Sequence, residues 1–226
     1  MSGAELGILF LSLQVGLVSL AASLPIAIGV AFVLARKDFP GKTLFDAVVH
    51  LPLVLPPVVV GFLLLVLFGT QGPIGSLLEP LGIVFAFRWT GAALAAAIMG
   101  FPLLVRAVRL AIESVDPRLE LAARTLGASR TRVFFTVTLP LAASGVVTGA
   151  LLAFARALGE FGATITFVSN IPGETRTLPL AIYTATQVPN GDAEALRLSI
   201  ISILVSLGAL ALSEWMVRRH KRGAHA

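Results

Sequence analysis

Long apolar runs with few interruptions, rather than an alternation of apolar and polar positions, dominate this chain. Residues 6–35 carry no charged side chain and are broken only by small or weakly polar residues such as Gln14, Ser19 and Ser23, and by Pro25. Further runs cover residues 44–68, 89–110, 133–155 and 198–217. At 1.5 Å of rise per residue, ~20 helical residues cross ~30 Å of hydrocarbon, so each run reads as a transmembrane helix. The third reaches that length only if its helix continues past Arg106 to Leu110. Two shorter apolar pieces, 161–168 and 178–188, are separated by Asn170, Pro172, Gly173, Glu174 and Arg176, and neither crosses alone. The pattern predicts an all-α polytopic membrane protein of five transmembrane helices, or six if the short pieces combine, in one transmembrane domain over residues 1–226. Residues 1–35 hold no Lys or Arg and outrun a signal-peptide core, so the first helix is expected to be retained.

Composition narrows the class. With 57% hydrophobic and 13% charged residues among 226, and a mean hydropathy of +0.93, a soluble enzyme, a disordered chain and a fibrous repeat are all excluded. The absence of cysteine removes thiolate metal sites, disulfides, redox couples and a cysteine nucleophile together. A net charge of +5 invites nucleic acid as a partner, but a membrane protein gathers Lys and Arg on its cytoplasmic side in any case. With five spans and the N-terminus outside, 13 of the 17 cations fall on one face, including Arg36, Lys37, Lys42, Arg106, Arg109, Arg118, Arg124, Arg130, Arg132 and the tail Arg218, Arg219, Lys221 and Arg222. That face is expected to be cytoplasmic, as is the C-terminus. No internal repeat is visible, which leaves an inverted-repeat transporter without support.

The loop between the third and fourth runs specifies a helix of its own. Asp116 is a good N-cap, Pro117 suits the first helical turn, and Gly127 can take the left-handed conformation that ends a helix. The helix 117–126 places Leu119, Ala122, Ala123 and Leu126 on one face. Such a helix either rests on lipid headgroups or presents a knob to a partner protein.

The continuation of this loop resembles the cytoplasmic motif of permease subunits in ATP-binding-cassette importers: Glu-Ala-Ala, three residues, Gly, nine residues, Ile, one residue, Leu-Pro. Ala122, Ala123, Gly127, Leu139 and Pro140 match in spacing, with Val137 at the aliphatic position. Leu121 stands where the family has Glu, and Glu120 lies one residue early. Residues 50–61, 122–128 and 154–175 look in addition like the molybdate permeases of these importers. The resemblance implies a type I importer permease fold that works as a homodimer in the inner plasma membrane. It implies two cytoplasmic ATPase subunits that bind ATP and Mg, and a periplasmic or surface-tethered molybdate-binding protein. It makes Glu120, Ala122, Ala123, Leu126, Gly127, Leu139 and Pro140 the coupling residues, in a chain that performs no catalysis and holds no cofactor or metal.

The residues themselves agree with a passive membrane part. Gly41-Lys42-Thr43 imitates the end of a phosphate-binding loop, but Arg36 occupies the position of the first glycine and no strand precedes it, so a turn with a snorkelling cation is expected. His50, His220 and His225 have no metal-ligand spacing. Pro52, Pro56 and Pro57 remove backbone donors inside the second run and force a bend, either in a helix that lines the pathway or in a kinked scaffold helix. Arg156 and Glu160, four residues apart, form either a structural ion pair or part of a gate for a dianion. Ser169 and Asn170, with Thr164 and Thr166, offer neutral donors nearby, while Arg88 or Arg176 would attract an anion at the outer mouth. Gly145 and Gly149 form a small-xxx-small pair that serves either the dimer or internal packing. Sulfate, thiosulfate or tungstate are alternative cargoes. An ATPase-independent ion-coupled transporter or channel, and a purely structural membrane protein, are the readings from other classes.

Overall fold

The computed structural model describes residues 3–223, except the side chains of residues 210 and 212–223. The cationic tail Arg218–Arg222, together with His220 and His225, therefore lies outside the described side chains. Among the described residues every regular element is a helix.

The first run forms α1, Gly3–Arg36. Its buried stripe is small and polar as much as apolar: Ser12, Val15, Gly16, Ser19, Ser23, Ala27, Ala31 and Leu34 recur every three or four positions. Hydroxyls would be costly there if unpaired, but Ser12, Ser19 and Ser23 donate to carbonyls of their own helix at 2.9, 2.8 and 3.3 Å. Small side chains let backbones approach, which is the main source of helix association where lipid is as apolar as leucine.

The second run behaves differently from a single kinked rod. It divides into α2, Lys42–Val54, and α3, Pro57–Phe68, whose axes are bent by 112°. The cause is local: Leu55 and Pro56 adopt extended backbone, as a residue before proline prefers, and Pro57 begins a new helix at the position where no N–H is needed. Pro52 lies inside α2 and is tolerated there. A four-residue helix α4, Gly75–Leu78, and a 3-10 turn, Glu79–Leu81, then lead to α5, Trp89–Glu113, the central rod. Twelve residues of α5 are buried, among them Ala92, Ala93, Ala95, Ala96 and Gly100, so α1 and α8 close on it from two sides.

After α5 come α6, Pro117–Thr125, and α7, Arg130–Val133. A π-helical segment, Phe134–Thr138, joins α7 to α8, Leu139–Leu158. Gly145 and Gly149 of α8 lie against Ala111 and Ala107 of α5, where a Cβ on Gly149 would meet the Ala107 Cβ at 2.9 Å, so this pair packs inside the chain. The two short apolar pieces are the separate helices α9, Gly162–Val168, and α10, Leu178–Thr186. The last run lies within α11, Asp192–Gly223. Among the described residues, α1, α5 and the stretch Arg130–Leu158 are each long and apolar enough to cross a membrane, and the bent pair α2–α3 makes a fourth candidate.

Candidate functional site

Helix α6 stands apart from the bundle because its sequence starts and stops it. The Asp116 carboxylate accepts the Arg118 N–H at 2.9 Å, Pro117 opens the first turn, and Gly127 sits at φ +88° just beyond Leu126. The Ala128 N–H closes the end on the Ala123 carbonyl at 3.1 Å. No residue of α6 is buried. Leu119 is 49% and Leu126 89% exposed, and they share one face with Ala122 and Ala123. An apolar face of this kind, left open on a short helix, is available to another surface.

The opposite face is anchored, and its anchor is Glu120. Its Oε1 accepts the Arg36 Nε at 3.1 Å and Nη2 at 2.9 Å, and the Thr138 hydroxyl at 2.9 Å. Arg36 Nη2 also donates to the Val115 carbonyl at 2.9 Å, which ties the end of α1 to the start of the loop. Thr138 is 1% exposed and closes the π-helical segment. One carboxylate thus fastens α6 to α1 and to the root of α8. A departure from the family motif, Glu120 one position early, becomes intelligible: on this face it serves the chain's own architecture. Sequence reasoning missed Arg36 and Thr138 as its partners. The available signal was that Glu120 is the one carboxylate between Asp116 and Glu160, amid several arginines. Leu139 is half-buried at the start of α8, and Pro140 is exposed.

At the far side of the bundle two discontinuities meet. Gly162, at the start of α9, abuts Pro57, at the start of α3; a Cβ on Gly162 would come within 2.7 Å of the Pro57 Cβ. Gly61 lies one turn on, against Ala163 and Thr166. Beside this junction Glu160 is 2% exposed; it accepts the Ala163 N–H at 2.8 Å and pairs with Arg156 at 2.6 Å. That second carboxylate oxygen is close to the guanidinium but not aligned for a hydrogen bond. Glu160 lies beyond the end of α8, so the pair spans a helix break rather than one continuous helix. Pro56 and Pro57 are exposed and Pro52 half-buried.

Ser169 and Asn170 are structural first. Ser169 adopts φ 63°, ψ −158°, a conformation almost reserved for glycine, and turns the chain out of α9. Asn170 donates to Thr184 at 2.6 Å and accepts from Arg176 Nε at 2.9 Å, so it locks the α9–α10 loop. Thr175 accepts the Ile171 N–H at 2.8 Å within the same loop. Arg88 is exposed at the start of α5. Lys42 begins α2 and pairs with Asp38 at 2.9 Å, with Gly41 in the left-handed region.

Three comparisons bear on this arrangement. Residues 23–222 match the family described as binding-protein-dependent transport system inner membrane component. The chain is 62% identical over 209 residues to the molybdenum transport system permease protein ModB of Escherichia coli (strain K12), covering 92% of this chain and 91% of that protein. It is 55% identical over 219 residues to ModB of Haemophilus influenzae, covering 96% of each. In fold it is similar to a chain of a bacterial ABC transporter involved in the import of the acidic polysaccharide alginate, with a TM-score of 0.77, 19% identity, and coverage of 97% of this chain and 80% of that one.

Proposed function

We propose, from the premise that this chain belongs to the family of binding-protein-dependent transport system inner membrane components, that it is the molybdate-translocating subunit of an ATP-driven importer. The choice of molybdate is supported by 62% identity over nine-tenths of the chain to a molybdenum permease. The working unit is a pair of these chains with two ATPase subunits on the cytoplasmic side and an external binding protein that delivers the oxyanion. The N-terminus faces out and the C-terminus faces the cytoplasm, the arrangement that puts most Lys and Arg inside. ATP is bound and hydrolysed by the separate ATPase chains.

The observation that carries the mechanical reading is the two-faced α6. Leu119, Ala122, Ala123 and Leu126 enter a cleft on the ATPase, while Glu120 on the other side grips Arg36 and Thr138. When the ATPases close on ATP, displacement of α6 pulls the end of α1 and the root of α8 together. Both helices pack on α5, so the motion reaches the junction of α3 and α9. Alternating access then follows from a rigid-body shift, with no chemistry in the membrane. Pro52, Pro56, Pro57, Arg156, Glu160, Ser169 and Asn170 surround or stabilise the junction that the anion passes. Ser169 and Asn170 hold its walls in place rather than grip the ion.

The test is reconstitution with the ATPase and binding protein, with molybdate uptake and ATP hydrolysis read in the same vesicles. Ala123→Arg, at a half-buried position on a helix with no fully buried residue, is expected to leave the permease folded and reduce uptake per ATP at least tenfold. Normal coupling by the expressed variant would remove the docking assignment. Uphill uptake by this chain alone would favour the ion-coupled reading instead.

A further inference from the structure

A cavity of about 790 Å³ opens between the last turns of α1, the inner face of α6 and the α7–π segment. Its wall toward the bundle is apolar, formed by Gly29, Phe32, Val133 and Phe134, with Phe32 and Phe134 in edge-to-face contact at 4.8 Å. Its rim is cationic: Lys37, Arg124 and Arg130 line it, and none of them makes an ion pair among the described residues. The single carboxylate in the lining, Glu120, is already neutralised by Arg36 and accepts a hydrogen bond from Thr138. From Arg36 back to Gly29 the α1 axis rises roughly 10 Å, so the charged rim and the apolar wall are separated as a headgroup is from the upper part of its acyl chain.

We infer that this cavity holds an anionic phospholipid of the cytoplasmic leaflet, its phosphate among Lys37, Arg124 and Arg130 and an acyl chain along Phe32 and Phe134. Basic pockets between membrane helices on the cytoplasmic side select such headgroups. A free oxyanion has no use for a wall that is mostly apolar. The ATPase does not compete for the space, because the cavity is lined on α6 by Pro117, Glu120, Leu121 and Arg124, half a turn away from the face of Leu119, Ala122, Ala123 and Leu126. A lipid here would brace the lever against α1 while leaving its outer face open.

The inference rests on the cytoplasmic placement of α6 given above, and its test is kept separable. Native mass spectrometry of the complete complex, and of the permease alone, is performed after exchange into phosphatidylglycerol or phosphatidylcholine. The expected result is retention of phosphatidylglycerol over phosphatidylcholine by the wild type in both preparations, reduced roughly tenfold or more by Arg124→Gln with Arg130→Gln. Both side chains are exposed, so folding is preserved. Equal retention of the two lipids, no change in the double variant, or displacement of the lipid by millimolar inorganic phosphate would overturn it. So would a crosslink from Lys37→Cys to a second copy of the chain, since the cavity would then be filled by protein. Failure of the ATPase to co-purify would count against the function and leave the lipid measurement on the permease readable.

Discussion

The two ends of the helix bundle are held by different balances of ion pairing and packing. Around α6 the fastening is electrostatic: Arg36 pairs with Glu120 at 2.9 Å, and no residue of α6 itself is buried. Around α9 and α10 it is packing of buried groups, with Ala163, Phe167 and Val168 at 0% exposure and Glu160 and Thr175 sealed beside them. Packed interiors shift between discrete arrangements, whereas α6 has one side-chain anchor, Glu120, and no buried residue to fix it further. Under the proposed function, force enters at the α6 end and the other end serves as a stiff frame.

That contrast predicts a graded set of effects. Glu160→Ala leaves Arg156 beside a gap and strips the Ala163 N–H of its acceptor, so it should cost about 3 kcal/mol, read as a lowered unfolding temperature in detergent. A stability unchanged by this substitution would remove the frame from the account. Gly61→Val drives side-chain atoms into Ala163 and Thr166 and is expected to cost about 2 kcal/mol and to distort the α3–α9 junction, seen as lost transport at normal ATPase docking. Glu120→Ala should cost only about 1–2 kcal/mol in stability, because Arg36 and Glu120 are partly solvated, yet lower uptake per ATP severalfold. The mismatch between a small stability loss and a large coupling loss is what separates an anchor of the lever from a structural ion pair. Gly127→Ala meets open space but forces a Cβ into φ +88°, for about 1 kcal/mol confined to the end of α6, measurable as faster local hydrogen exchange.

Legibility in the sequence followed the same division. Residues 116–127 carry their own start and stop chemistry, so α6 was readable from Asp116, Pro117 and Gly127 alone. The apolar runs gave α1 and α5 to within a few residues, because an uncharged stretch in lipid has few alternatives to a helix. The division of residues 44–68 was expected only as a bend. Consecutive prolines are compatible with either a kink or a break; here extended backbone at Leu55 and Pro56 makes it a break, and Gly162 abuts Pro57 beside it. Glu120 was singled out without its partners, since Arg36 lies 84 residues away in sequence and the π-helical turn that seats Thr138 leaves no periodic trace. The sequence offers Asn170 as a neutral donor for the anion, but Thr184 and Arg176 already engage it.

Because the chain has no cysteine, a single introduced thiol reports one position without background. Crosslinking from Ala123→Cys and, separately, from Leu121→Cys in the reconstituted complex measures which face of α6 meets the ATPase. An adduct with the ATPase chain is expected from position 123 and none from position 121; an adduct from 121 alone, or none from either in an assembly that still transports, would show that the face of Leu119, Ala122, Ala123 and Leu126 is not the docking face.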